Sequence, residues 1–306
     1  MNKELTIVTA YFDIGRGSFN GNYARGNNKY INYFKFWARM KNDIIIYTQP
    51  EFKNEILEIR EGFGLKDKTK VIVIDDIYSL FPNMYQRMLE IEKDDYYKKY
   101  RYIKYSPDNM AKYDYVMFLK TWCMMDAVDK GYVKTDFIAW VDFGFNHGGE
   151  AFANEEDFDF LWQYDFEDKI YLQALKEDDG KPIFEIIQNG EVYIQGSPYM
   201  VPVHLMKTFY NLIYDAMWVL LDVGFIDDDQ TLLLMAYRKN KDIFKCDVYD
   251  WFMIFKECGA NHMVMCEKKP NKLSFKDRVL YKYRVSRRNK AYLKDLKTIF
   301  LKDYLD

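Results

Sequence analysis

Short β-branched runs alternating with stretches of helical periodicity predict a layered α/β fold with a parallel sheet. Two further observations agree with it: polar, glycine-containing segments follow the runs, and carboxylates stand at the ends of several of them. Residues 5–11 (Leu-Thr-Ile-Val-Thr-Ala-Tyr) make the first buried strand, and residues 13–26 a long polar loop. Tyr30, Tyr33, Phe34, Trp37 and Met40 then recur at helical spacing. Residues 43–48 are a second strand, 51–61 a helix and 70–74 a third strand. Longer helices are expected over 83–102 and 108–130, the second opened by Pro107-Asp108 and closed by Gly131.

A fourth strand, 137–141, ends at Asp142. Between Asp142 and Asp179 there are 12 carboxylates and two lysines, which predicts a surface excursion. Strands are expected near 169–174, 183–188 and 192–195, and helices over 202–221 and 228–239. No repeat or low-complexity linker interrupts the chain. The organisation expected is one domain over 1–266 followed by a basic helical tail over 267–306.

That tail is visible in the charge. The chain of 306 residues carries 44 Lys+Arg and 47 Asp+Glu, a net charge of −3. Residues 267–306 hold 13 basic and five acidic side chains, leaving the preceding 266 at −11. An acidic body argues against nucleic acid as a partner. The tail interleaves its charge with Phe275, Val279, Leu280, Tyr283, Leu293, Leu296 and Phe300. Such a basic amphipathic helix suits an anionic membrane face, or equally the acidic body itself. Four cysteines without CxxC spacing indicate neither a zinc knuckle nor a disulfide scaffold. The longest apolar run, residues 216–221, is six residues, far below the ~20 needed to span a bilayer. A cytoplasmic protein is expected, peripheral at most to the inner membrane face.

Ligands of open α/β sheets collect at the carboxyl ends of the strands, so the segments following them are where chemistry is sought. Neither GxGxxG nor GxxxxGK[ST] occurs. Trp140-Val141-Asp142-Phe143-Gly144 places a carboxylate at a strand end, where it can hold a hard cation such as Mg²⁺ or Mn²⁺ against a diphosphate; capping of the next turn is the equally common use. Asp227-Asp228-Asp229-Gln230 precedes an apolar run and forms a helix N-terminus, where the dipole favours negative charge. Ile194-Gln195-Gly196-Ser197-Pro198 is a strand followed by a tight turn with backbone open to a ligand.

These residues, in this order, resemble GT-A-type glycosyltransferases. More closely, Trp140-Val141-Asp142-Phe143-Gly144 with His147-Gly148 resembles the HtrL/YibB (WlaTC-like) bacterial family, over most of residues 5–266. The resemblance implies a GT-A-like (Rossmann-like) fold with a mixed, mostly parallel sheet flanked by helices. It also implies a nucleotide-diphosphate sugar donor and transfer to a surface glycan or glycolipid such as lipopolysaccharide, lipooligosaccharide or capsule. Carried across by residue, Thr9, Ala10, Tyr11, Asp75 and Asp76 are donor-binding candidates. Lys120, Asp142 and Gly144 join them at the sugar diphosphate. Gln195, Gly196 and Ser197 are acceptor candidates. Asp228, Asp229 and Gln230 are catalytic candidates, Asp228 or Asp229 as base in an inverting enzyme, Gln230 or Asp229 beside the anomeric carbon in a retaining one. Gly144 stands where a DxD motif has its second aspartate, so a cation on Asp142 would need His147, His262 or water. A non-catalytic glycan-binding protein with a degenerate metal motif is the alternative from another class, and a metal-dependent phosphotransferase a third.

Overall fold

The computed structural model describes residues 2–19, 24–95, 97, 110–267, 279, 283, 286 and 290. The strands are β1 (Lys3–Tyr11), β2 (Ile44–Thr48), β3 (Thr69–Val73), β4 (Phe137–Trp140), β5 (Gln163–Tyr164), β6 (Ile170–Ala174), β7 (Tyr199–Pro202) and β8 (Phe244–Val248). The helices that matter below are α1 (Asn27–Trp37), α2 (Lys53–Gly62), α3 (Pro82–Lys93), α4 (Met110–Asp129), α5 (Ile183–Asn189), α6 (Met206–Asp222), α7 (Asp229–Lys239) and α8 (Met253–Glu257).

The sheet runs β3-β2-β1-β4-β7-β6-β8, with the short β5 added antiparallel to β1. Only β7 opposes its neighbours along that path; β1, β2, β3 and β4 pair in parallel, as do β6 and β8. This is the mixed, mostly parallel, helix-flanked architecture expected. Alternation along the central strands divides the interior into two cores. Val8, Ile45, Tyr47, Ile138 and Trp140 face one, packed with α3, α4, α6 and α7. Leu5, Ile7, Ile44, Ile46, Phe137 and Ala139 face the other, packed with α1, α2 and α8.

Three expectations need correction. Residues 183–188 are not a strand but part of α5, which closes on Gly190 in the left-handed region at φ 60°. Ile183, Ile186 and Ile187 have i, i+3, i+4 spacing, and that periodicity outweighs their β-branched preference. Residues 192–195 contribute a single bridge, Ala174 to Ile194; the strand follows as β7, with Pro202 at its end, a position proline tolerates. The acidic stretch is not simply a surface excursion. Most of its carboxylates are exposed, Asp142 and Asp178 being among the exceptions, while Phe145, Phe152, Phe158, Trp162 and Phe166 are buried in the second core. Strand β8, with Lys245 and Asp247 between apolar residues, had not been foreseen.

Helix α4 ends as expected, with Gly131 at φ 67°. No helix among the described residues is long and apolar enough to cross a membrane. The expected basic tail lies outside the described residues apart from Val279, Tyr283, Ser286 and Lys290, which are helical and exposed.

Candidate functional site

A cavity of about 460 Å³ opens at the carboxyl ends of β1 and β4, where the topology predicts a ligand. Lys120, carried on α4, lies at its wall and is only 4% exposed. Its ammonium donates to Asp142 Oδ1 at 2.7 Å, to Asp229 Oδ2 at 2.7 Å and to the Gly196 carbonyl at 3.4 Å. Four segments far apart in sequence therefore meet on one nitrogen. Asp229 is 7% exposed and packs directly on Gly196, where an added Cβ would come within 2.2 Å of its Oδ2. Glycine is required there by that approach.

Burial disfavours the Lys120 ammonium, but the two aspartates bonded to it hold its proton affinity well above that of an ordinary lysine. Two carboxylates share this one cation. Burial raises the Asp229 carboxyl to about 6, with Lys120 pulling it down and the Asp142 charge pushing it up. Asp142 is the more open partner, its side chain 41% exposed. Its Oδ1 also accepts from Trp140 Nε1 at 2.7 Å, and its backbone N–H donates to Ser197 Oγ at 2.8 Å. Asp228 is the N-cap of α7, accepting from the Gln230 N–H at 3.1 Å; both residues line the cavity.

The Trp140–Gly149 segment divides its work. Phe143 stacks on Phe34 and Tyr11, with ring centroids 4.5 and 4.9 Å away. Asn146, at φ 63°, is fully buried; its Oδ1 accepts from the Ala151 and Phe152 N–H groups, and its Nδ2 donates to the Phe152 carbonyl. These residues hold the turn in shape. Asp142, Gly144 and His147 face the cavity. A Cβ on Gly144 would meet the Tyr30 ring at 3.1 Å. His147 lies beside Glu150 and Arg25, with its proton affinity lowered by burial first and by the Arg25 charge second.

Most of the residues expected from the sequence converge here: Ala10, Tyr11, Lys120, Asp142, Gly144, His147, Gln195, Gly196, Ser197, Asp228, Asp229 and Gln230 all line the cavity. Four do not. Thr9 is buried in β1, its hydroxyl without a partner among the described residues. Asp75 and Asp76 are exposed beyond β3, Asp76 capping the turn at Tyr78. His262 is exposed, donates to the Asp157 carbonyl at 2.9 Å and packs on Phe160. Gln195 is 1% exposed, and its Oε1 accepts from the Phe252 N–H at 2.9 Å, so its side chain is committed to a neighbouring turn.

Sequence reasoning missed Arg16 and Arg25, two cations on the wall supplied by the loop after β1. Arg16 donates to Tyr30 Oη and lies over the Tyr30 and Tyr113 rings at 5.7 and 5.2 Å. Their signal was two arginines in a polar loop at the carboxyl end of the first strand. Asp13, Tyr113, Trp251 and Phe252 were missed as well.

The donor set does not suit a resident Mg²⁺ or Mn²⁺. An ion of this type favours several oxygen ligands, whereas Asp142 Oδ1 already accepts from an ammonium and an indole. The second DxD position has no side chain, His147 is engaged with Glu150, and His262 is not in the cavity wall. No cluster of three potential ligands occurs among the described residues.

Residues 3–260 match the family described as "Bacterial protein of unknown function (HtrL_YibB)". The chain belongs to the HtrL_YibB family. Protein HtrL of Escherichia coli (strain K12) is 30% identical over 278 residues, covering 85% of this chain and 94% of its own. Among solved structures, mouse xyloside xylosyltransferase 1 in its apo form aligns with a TM-score of 0.41 at 9% identity, over 82% of this chain and 92% of that one. PaToxG glycosyltransferase aligns at 0.32 and 8%, over 78% and 70%. A 4-diphosphocytidyl-2C-methyl-D-erythritol synthase from Anaerococcus prevotii aligns at 0.33 and 12%, over 91% and 96%. Within the HtrL_YibB chain described here, the Asp142 motif and the Lys120–Asp229 pair both lie inside the matched region.

Proposed function

We propose that the protein is a glycosyltransferase that moves a sugar from a nucleoside-diphosphate sugar to a glycan acceptor. The observation that carries this reading is Lys120, a buried ammonium held by Asp142 and Asp229 in the wall of a cavity at the carboxyl ends of the strands. Arg16 and Arg25 line the same cavity. Breaking a glycosidic phosphate bond builds negative charge on the departing diphosphate, and fixed cations in a partly enclosed site stabilise that charge. Guanidinium groups suit this task through their paired donors, an ammonium through its compact charge.

The sugar passes through an oxocarbenium-like state, for which a nearby carboxylate is favourable. Asp229 has the proton affinity suited to receiving the acceptor hydroxyl proton near neutral pH. Asp228 fixes the start of α7, and with it the position of Gln230. Asp142 and Asp229 together orient Lys120 and keep it charged.

Incubation of the protein with UDP-, GDP- and CDP-sugars, followed by chromatography of released nucleotide, tests the reading. Nucleoside diphosphate release is expected with one donor, persisting in EDTA and falling by roughly 100-fold or more in Lys120→Ala. Turnover abolished by EDTA and restored by Mn²⁺ would instead assign the diphosphate charge to a cation. Release of nucleoside monophosphate would favour a phosphotransferase.

A further inference from the structure

Trp251 is 40% exposed and lines the cavity. It lies in the turn that follows β8, at the sheet edge opposite β3. That turn is unusually constrained. Phe252 has φ 65° and ψ 1°, a left-handed conformation that strains a bulky residue. Two buried glutamines hold it there. Gln195 Oε1 accepts from the Phe252 N–H at 2.9 Å, Gln173 Nε2 donates to the Asp250 carbonyl, and Gln173 Oε1 accepts from the Ile254 N–H at 2.9 Å. The Tyr249 N–H donates to the Ala174 carbonyl, and the Phe252 ring packs against Phe145 with centroids 5.1 Å apart.

Burying two amide side chains to fix a strained turn is costly unless the turn's shape matters. What the turn presents at the cavity is an indole left in water. A half-exposed indole on a constrained turn offers a flat apolar face with a polar edge, and the C–H face of a pyranose ring complements it. Among the described residues, the cations of the cavity come from α4 and from the loop after β1, whereas the indole comes from the turn after β8; aromatic rings such as Tyr30 and Tyr113 also line the cationic side, and Arg25 approaches the turn through His147. The indole itself carries no charge to hold a diphosphate, so a neutral sugar ring is the group that suits it.

Resting on the glycosyltransferase reading, we propose that Trp251 is the stacking platform for a ring of the acceptor glycan. Gln173 and Gln195 bond the backbone of the turn that carries it. Gln195, expected from the sequence at the acceptor, lines the cavity and also accepts from the Phe252 N–H of that turn.

The test compares wild type, Trp251→Phe and Trp251→Ala on a printed array of bacterial surface oligosaccharides. The same proteins are titrated calorimetrically with UDP, GDP and CDP, and thermal melting checks the fold. Wild type is expected to bind a subset of the glycans, Trp251→Phe to keep most of that binding, and Trp251→Ala to lose about tenfold or more, with nucleotide affinity unchanged. Glycan binding that survives Trp251→Ala, or wild type that binds no array glycan, overturns the platform. A loss confined to nucleotide affinity overturns it too, by assigning the indole to the base. Absence of nucleotide binding by wild type, with glycan binding that depends on Trp251, overturns the glycosyltransferase reading and leaves the platform standing.

Discussion

At Asp229 a carboxylate enclosed between Lys120 and the Gly196 backbone gives the site a pH dependence. Its proton affinity rises from the ordinary 3.8 to about 6, chiefly through burial. If it receives the acceptor proton, transfer should fall as pH drops through about 6, and Asp229→Asn should lose about 10²–10⁴-fold together with that limb. The stability effect has the opposite sense. The folded state binds this proton more tightly than the unfolded state, so the contribution is complete below 3.8 and is lost as pH rises through about 6. Urea midpoints from pH 4 to 7 should therefore show a more negative slope in wild type than in Asp229→Asn; equal slopes would contradict the assignment. The sequence made Asp229, Asp142 and Lys120 visible one at a time, as a helix start, a strand end and a lysine among apolar neighbours. It gave no sign that they share one nitrogen, because that meeting joins segments 109 residues apart. Arg16 and Arg25 escaped notice for a related reason: a loop arginine is normally solvated, and only the folded loop brings these two to the cavity.

Elements marked by a short, mostly apolar run were legible. Strands β1, β2 and β4, buried on both faces, fall close to their expected bounds because each is such a run, and β3, α4 and α7 are also found close to where they are expected. Strands β7 and β8 were obscured by a proline at one end and by charged residues in the other, and β-branched composition disguised α5. A support hidden in the same way lies under β2. Arg60 on α2 is fully buried and donates to the Ala38, Met40 and Asn42 carbonyls at 2.6, 2.7 and 3.1 Å, and to Thr69 Oγ1 at 2.8 Å. In sequence it looks like any polar-face arginine. Arg60→Met should leave those carbonyls unpaired and cost about 3–5 kcal/mol, read as a lower urea midpoint, with nucleotide affinity little changed in the folded fraction. A neutral effect on stability would show that water replaces the guanidinium.

For the whole molecule, the sheet order brings two differently built walls to one cavity. The parallel half supplies its loops and cations, and the half around β6, β7 and β8 supplies the Gly196 backbone and the Trp251 turn. The net −3 of the chain conceals this division, because among the described residues three cations and four aspartates occupy the cavity wall together. The proposed anionic donor would be favoured there only by local geometry, with Lys120, Arg16 and Arg25 offsetting the carboxylates. The most direct test is calorimetric titration of UDP-, GDP- and CDP-sugars into wild type and an Arg16→Gln/Arg25→Gln variant in EDTA. Saturable one-to-one binding of one donor class by wild type, weakened about tenfold or more in the variant, is the expected result. Failure of wild type to bind any of these donors, or equal binding by both proteins, would contradict it.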